Sequence, residues 1–170
     1  MKIVLETERT ILRPWRSSDL EDYYKIISNP LVLKYLPIES ITAEETEAKL
    51  QSRIYQYNLN GFCLWAVILK ENKRLIGHCG LQYICDTKEI ELGYGLSPDF
   101  WNRGLATETA KASLDYGFKI LKLETILGLV HKDNSGSKHV LEKVGMRYVC
   151  ITDNYYNING LLLYTSKITN

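Results

Sequence analysis

Three observations predict that this chain of 170 residues folds as a mixed α/β domain on one largely antiparallel sheet. Two β-rich runs, Phe62 to Leu69 and Leu75 to Ile84, flank the polar Glu71-Asn72-Lys73 and read as a hairpin. A third strand, Glu89 to Leu96, is followed by a helical run to about Leu121 and another strand, Glu124 to Val130. Strand, helix and strand demand a crossover, so one pair in the sheet is parallel. Two closing strands, Met146 to Thr152 and Leu161 to Ile168, flank Asn159-Gly160, a strong short-range hairpin signal.

Thr10 to Arg13 reads as the first strand. Ser17-Ser18-Asp19-Leu20-Glu21 starts a helix, with Ser18 and Glu21 at capping-box spacing; it carries Leu20, Tyr23, Tyr24, Ile26 and Ile27 and stops before Asn29-Pro30. Thr42-Ala43-Glu44-Glu45 is a second capping box. It opens a polar helix to about Asn60, with Ala48, Ile54, Tyr55 and Leu59 as its partly apolar positions and Gly61 as its C-cap. Asp86-Thr87-Lys88 turns the meander into the third strand, and His78 in the second reads as an ordinary strand histidine. Leu105, Ala110, Leu114, Phe118 and Leu121 lie on or near one face of the long helix, which packs on the sheet. Asn134-Ser135-Gly136-Ser137 starts the last helix, which bears Val140, Leu141 and Val144 and ends at Gly145.

Composition narrows the function. A 45% hydrophobic chain of this length fits a single domain over residues 1–170, without repeats or linkers. The net charge of +1 gives no basic footprint for nucleic acid. No apolar run approaches the roughly 20 residues that span a membrane. MKIVLETERT lacks a signal-peptide core. Cys63, Cys79, Cys85 and Cys150 are scattered without metal-ligand spacing, which points to free thiols in a reducing cytoplasm and no bound metal.

The stretch Glu89 to Thr109 carries the chemistry. Ile90, Leu92, Tyr94 and Leu96 alternate with charged or small residues, then Ser97-Pro98-Asp99 breaks the strand. Trp101-Asn102-Arg103-Gly104-Leu105-Ala106-Thr107 opens the long helix. The first helical N–H groups have no partner inside the helix, and the macrodipole adds partial positive charge there. Gly104 and Ala106 let a phosphate approach the backbone, and Arg103 adds a cation. The alternative is a plain strand–loop–helix turn that binds nothing. Neither a P-loop nor the G-x-G-x-x-G dinucleotide fingerprint is present. Gly93 and Gly95 within one strand mark a bulge or a close backbone approach.

The segments LGYGLSPDFWNRGLATETAKASLDYGF and HKDNSGSKHVLEKVGM together resemble the GNAT superfamily of N-acetyltransferases, closest to its ribosomal-protein N-terminal acetyltransferase (RimJ/RimL-like) branch. The family's phosphate-loop pattern, Gln/Arg-x-x-Gly-x-Gly/Ala, falls on Trp101 to Ala106, with Trp101 in place of the usual Gln or Arg. The resemblance implies a GNAT fold with one splayed parallel strand pair, and acetyl-coenzyme A as cosubstrate. Its pyrophosphate would lie on Trp101, Asn102, Arg103, Gly104, Leu105, Ala106 and Thr107, and its pantetheine arm along Tyr94, Gly95 and Leu96 and against Asn134 and Ser137. It implies direct attack by a primary amine in a ternary complex.

Two further roles follow from the resemblance. The helix position that many members fill with an acidic tyrosine is Leu141 here, so the donor to the departing thiolate is Ser137, which matches a serine of the ribosomal-protein branch; Ser137 otherwise reads as a helix cap. Asn134, too, reads as a cap or turn. Glu91 is the candidate base or end of a water relay, or else a solvated strand charge, with Glu89 on the same strand face. The expected acceptor is the α-amino group of a protein or peptide, with a small amine (polyamine, aminoglycoside or amino-acid derivative) as the alternative. A coenzyme-A-binding module without turnover is the reading from another class. The acceptor pocket falls to the Asn29–Thr42 and Asp153–Asn157 segments and the two early helices, with Tyr155 and Tyr156 exposed near a hairpin tip. Either a monomer or a homodimer is compatible with the sequence.

Overall fold

The structure, a computed structural model, describes residues 3–85 and 87–167. Met1, Asp86 and the expected last strand residue, Ile168, lie outside them. Eight strands make one sheet: β1 Leu5–Glu6, β2 Thr10–Arg13, β3 Leu64–Leu69, β4 Leu75–Tyr83, β5 Ile90–Leu96, β6 Thr125–His131, β7 Arg147–Thr152 and β8 Leu161–Lys167. Their spatial order is β1-β2-β3-β4-β5-β6-β8-β7. Neighbours are antiparallel except β5 and β6, which are parallel. Helices α1 Leu20–Ile27, α2 Pro30–Leu33 and α3 Ala43–Asn60 precede β3. Helix α4 Leu105–Lys119 makes the β5–β6 crossover, and α5 Ser135–Lys143 joins β6 to β7. This is the mixed α/β GNAT fold, largely antiparallel with one parallel pair and helices flanking the sheet.

Local chemistry explains most boundaries. The Thr42 hydroxyl accepts from Glu45 N at 3.1 Å, and Glu45 Oε2 accepts from Thr42 N at 2.8 Å, a complete capping box for α3. Gly61 and Gly145 end α3 and α5 with φ of +78° and +87°, a region that favours glycine. On α4 the sheet-facing stripe is Leu105, Thr109, Ala110, Ser113, Leu114 and Gly117, with Phe118 and Leu121 at its margin. The buried Thr109 and Ser113 hydroxyls donate to the carbonyls of Leu105 and Thr109 at 3.0 and 2.9 Å, so they enter the interface without an unpaired polar atom.

Four local expectations change. The Ser18–Glu21 box does not form. Arg13, buried on β2, demands a counter-charge, so Asp19 turns inward; its carboxylate accepts two 2.7 Å bonds from the guanidinium and one from Arg16 N at 2.8 Å. Asn29-Pro30 both ends α1 and begins α2, with Asn29 Oδ1 accepting from Leu31 N at 2.9 Å and Pro30 in the first turn, where its missing N–H costs nothing. The buried residues of α3 are Thr46 and Leu50; Ala48, Tyr55 and Leu59 face solvent. The inward stripe continues through Arg53, whose guanidinium lies over the rings of Trp15 and Tyr23 at 5.4 and 4.9 Å, an arrangement that an apolar pattern cannot reveal. Finally, β7 and β8 are joined by the loop 153–160, not by a two-residue turn at Asn159-Gly160.

Asp19→Ala leaves the buried Arg13 unpaired and is expected to lower unfolding free energy by about 3–5 kcal/mol. Thr42→Ala removes one exposed cap bond and is expected to lower it by about 1 kcal/mol. Urea denaturation of both variants checks the ranking.

Candidate functional site

The site forms where β5 and β6 part. Their parallel register holds at one point, Glu91 opposite Leu127. The other edge of β5 is fully laddered to β4, from Tyr83 opposite Ile90 to Gly77 opposite Leu96. Ser97 N donates to Ile76 O at 2.8 Å. By antiparallel alternation the main-chain groups of Gly93 and Gly95 therefore turn to β4, and those of Tyr94 and Leu96 turn to the widening gap. The β4–β5 register is one-to-one, so the glycines mark no bulge. A Cβ at Gly93 would lie 2.9 Å from Leu64 Cδ2, and one at Gly95 would lie 2.9 Å from His78 Cε1. These glycines make room for neighbouring side chains on the β4 side.

Beyond β5 the chain makes a short 3-10 turn, Pro98–Phe100, and reaches α4 through Asn102 and Gly104, both left-handed with φ of +58° and +74°. Asn and Gly are the residues that enter this region most readily, and alternating handedness turns successive N–H groups toward one concavity. Gly104 is the N-cap of α4 and offers no side-chain cap, which leaves the first-turn donors outward. Ala106 and Thr107 are half-buried at that turn, whereas the Leu105 side chain is wholly in the core. Trp101 turns back to the strand, its indole donating to Leu96 O at 2.7 Å. One carbonyl expected to be open to a ligand is thus already engaged.

Cations gather there from distant parts of the chain. Arg9 donates to Arg103 O at 2.8 Å and pairs with Glu108 at 2.7 Å. Arg74 and Arg103 both lie over the Phe100 ring, at 5.5 and 5.6 Å. Of these only Arg103 carried a sequence signal; Arg9 and Arg74 arrive through β-sheet neighbours far away in the chain. Burial alone would push the Glu108 carboxyl up, but bonds from Thr7 and from the Arg9 backbone and side chain hold it below the usual range.

On one face of β5, Glu91 is buried, 6% exposed. Its Oε1 accepts from Gln82 Nε2 at 2.7 Å and from the Tyr156 hydroxyl. Burial pushes its carboxyl above the ordinary glutamate value, and the Tyr156 and Gln82 bonds oppose that shift. Glu89 Oε2 accepts from Tyr155 at 2.9 Å. Both tyrosines come from the β7–β8 loop, so this loop reaches across β6 and β8 to β5. Neither contact is visible in the sequence.

On the opposite face, Tyr94 meets α5. Its hydroxyl donates to Ser137 O at 2.7 Å and accepts from Ser137 Oγ at 2.8 Å. Burial raises the Tyr94 phenol well above its ordinary value. Ser137 does not cap α5; Asn134 does, its Oδ1 accepting from Ser137 N at 3.0 Å. Leu141 is buried in the core, with Cδ2 3.0 Å from where a Cβ on Gly128 would sit. The Tyr94 side chain, expected only as part of the strand, brings a phenol to the serine. Glu91 and Ser137 therefore address the parting strands from opposite faces.

A sheet opened at one parallel pair beside an uncapped helix terminus offers main-chain donors to an extended, phosphate-bearing ligand. The family model "Acetyltransferase (GNAT) domain" matches residues 9–147. The chain belongs to the GNAT acetyltransferase family, and the protein is an acetyl-coenzyme A-dependent N-acetyltransferase. The uncharacterized N-acetyltransferase YnaD of Bacillus subtilis is 32% identical over 84% of this chain and 82% of its own length. YoaA of the same organism, also an uncharacterized N-acetyltransferase, is 30% identical over 92% and 90%. The spermidine N(1)-acetyltransferase of Escherichia coli is 26% identical over 88% and 78%. Among solved structures, a GNAT-family acetyltransferase from Bacillus anthracis superposes with a TM-score of 0.82 at 29% identity, covering 98% of both chains. The ribosomal L7/L12 α-N-protein acetyltransferase RimL, in complex with coenzyme A, shares the fold with a TM-score of 0.82 at 15% identity over 98% of both chains. Among the described residues no cluster of three or more His, Cys, Asp or Glu could hold a metal ion, and no helix is long and apolar enough to cross a membrane.

His78, packed between Gly95 and the edge of Tyr23, has a buried Nδ1 without a hydrogen-bond partner among the described residues. Burial, reinforced by Arg53, holds its pKa well below 6.5. The unfolded chain then takes up a proton that the folded chain refuses, so this residue's contribution to stability is intact above about pH 6.5 and is lost as pH falls below it. NMR titration is expected to show the His78 imidazole still neutral as pH falls through about 6.5, where an exposed histidine protonates.

Proposed function

We propose that the protein acetylates the α-amino group of a protein or peptide, with the amine meeting the thioester in the gap between β5 and β6. The observation that carries this reading is the placement of Glu91 on one face of that gap and the Tyr94–Ser137 hydroxyl pair on the other. Coenzyme A fits the residues present. The outward N–H groups of the first turn of α4, the left-handed Asn102 and Gly104, and the cations Arg9, Arg74 and Arg103 would hold its phosphates. The gap-facing main chain of Tyr94 would bind an amide-bearing arm. When bound, it supplies the acetyl group and a thiolate leaving group.

This chain's residues then have three tasks. Glu91 takes the proton of the attacking amine; its raised pKa brings it nearer to an α-amino group of about 7.7–8.0 than an exposed glutamate would be. The Ser137 hydroxyl, held beside Tyr94, turns its one proton from the Tyr94 oxygen to the departing sulfur, and a thiol of pKa about 8.5 needs only a modest donor. Burial pushes Cys63 up to about 12 and Cys79 up to about 11, which keeps these core thiols protonated and suits direct attack by the amine.

The peptide acceptor is favoured by the apolar surface of Leu31, Leu36 and Ile38, 54%, 51% and 39% exposed. Tyr35 in the same segment lies 5.8 Å from the His131 ring, at the end of β6. Such a surface suits side chains that follow an α-amine. Glu89, Glu91 and the similarity to a spermidine acetyltransferase favour a polyamine as the second reading.

Mass-spectrometric screening of N-terminal peptides, polyamines and aminoglycosides with acetyl-coenzyme A decides between the acceptors. Peptide α-amines are expected to be acetylated at the highest kcat/KM, and exclusive transfer to polyamines would reverse the assignment. Ser137→Ala is expected to lower kcat on the order of 10²-fold with coenzyme A affinity nearly unchanged. Once kcat/KM is expressed per neutral amine, its acidic limb, where Glu91 becomes protonated as pH falls through its raised pKa, is expected to vanish in Glu91→Gln.

A further inference from the structure

The Glu91 carboxylate is held unevenly. Two donors converge on Oε1, Gln82 from β4 and Tyr156 from the β7–β8 loop. Oε2 accepts no hydrogen bond from a described residue, and it is not among the buried side-chain atoms that lack a partner. A carboxylate fastened by one oxygen presents the other in a fixed direction. The donors also favour the ionised form, which is the form that can receive a proton.

The loop that brings Tyr156 is shaped for this contact. Tyr156 and Asn157 are consecutive non-glycine residues in the left-handed region, with φ of +57° and +54°. Such a conformation needs support from its surroundings, particularly at a tyrosine. That support comes from Asp153 Oδ1, which accepts from Gly160 N at 2.7 Å and closes the loop's base, and from the Tyr155–Glu89 bond beside it. The phenol of an exposed loop thus ends on a buried carboxylate.

We propose that Tyr156 is a positioning residue for acetyl transfer, fixing Glu91 through Oε1 so that Oε2 receives the acceptor's proton. The proposal rests on Glu91 being the base. The titratable groups facing this cluster are Tyr156 and Tyr155 from the loop, Glu89 on the same strand and the Cys85 thiol beside Tyr156; Gln82 is its uncharged member. None of them is a cation, so the hydrogen bonds are what favour the ionised form of Glu91 against its burial. Any acceptor that moves the loop also changes the basicity of the group that must deprotonate it.

The test is the pH dependence of kcat/KM for the best acceptor, expressed per neutral amine so that the acceptor's own ionisation is removed, alongside 13C NMR titration of the Glu91 carboxyl, in wild type, Tyr156→Phe, Gln82→Leu and Glu91→Gln. Losing a donor to the ionised form raises the Glu91 pKa. The acidic limb and the NMR midpoint are therefore expected to move up together, by about one pH unit in Tyr156→Phe and in the same direction in Gln82→Leu. At pH values above the limb, Tyr156→Phe is expected to lower kcat more than it raises KM, since the carboxylate loses its fixed direction. A limb and midpoint that stay at wild-type values in both variants, while Glu91→Gln has lost the limb, overturn the proposal and leave Glu91 as the base. A limb that persists in Glu91→Gln overturns both.

Discussion

The failure of two parallel strands to stay together governs this molecule. β5 is laddered along one whole edge and meets β6 at a single register point on the other. Main-chain groups left open within a sheet must find partners elsewhere, because burying them unpaired is costly. The Leu96 carbonyl finds the Trp101 indole, and the groups at Tyr94 face the gap. From this one opening follow the position of the α4 terminus, the access to both faces of β5 and the span that the β7–β8 loop must cross.

The two faces carry different chemistry. One has a buried carboxylate whose ionised form two hydrogen bonds favour; the other has a phenol and a serine hydroxyl in mutual contact. In a strand, residues three apart point to opposite sides, so Glu91 and Tyr94 achieve this separation within four positions of sequence. The helix dipole and the arginines lie farther along, past the strand end, where a phosphorylated carrier would be held without crowding either face.

Much of this was legible in the sequence because it is local. The Thr42 box, the Gly61 and Gly145 caps, the alternation of β5 and the crossover through α4 each depend on residues a few positions apart. Glu91 lies where β5 last meets β6, and Ser137 meets Tyr94 of the same strand. What escaped is non-local or polar. Asp19 serves a buried arginine on another strand, and Arg53 occupies the inward stripe of α3 by stacking on two aromatic rings. Arg9 and Arg74 reach the loop before α4 only because β2, β3 and β4 bring them there. Tyr156 meets Glu91 across a separation of 65 residues, through a loop whose left-handed residues are not glycines. Asn134 was read as either ligand or cap; its Oδ1 makes the cap bond.

The pinched base of the β7–β8 loop, where Gly160 N meets Asp153, has an evolutionary corollary. Residues between these anchors, apart from Tyr155 and Tyr156 on the two glutamates, can be exchanged without touching the main-chain ladder that would carry the thioester side. Descendants of such a scaffold could acquire new amine preferences by swapping a short cassette, keeping their donor chemistry intact while recognition drifts.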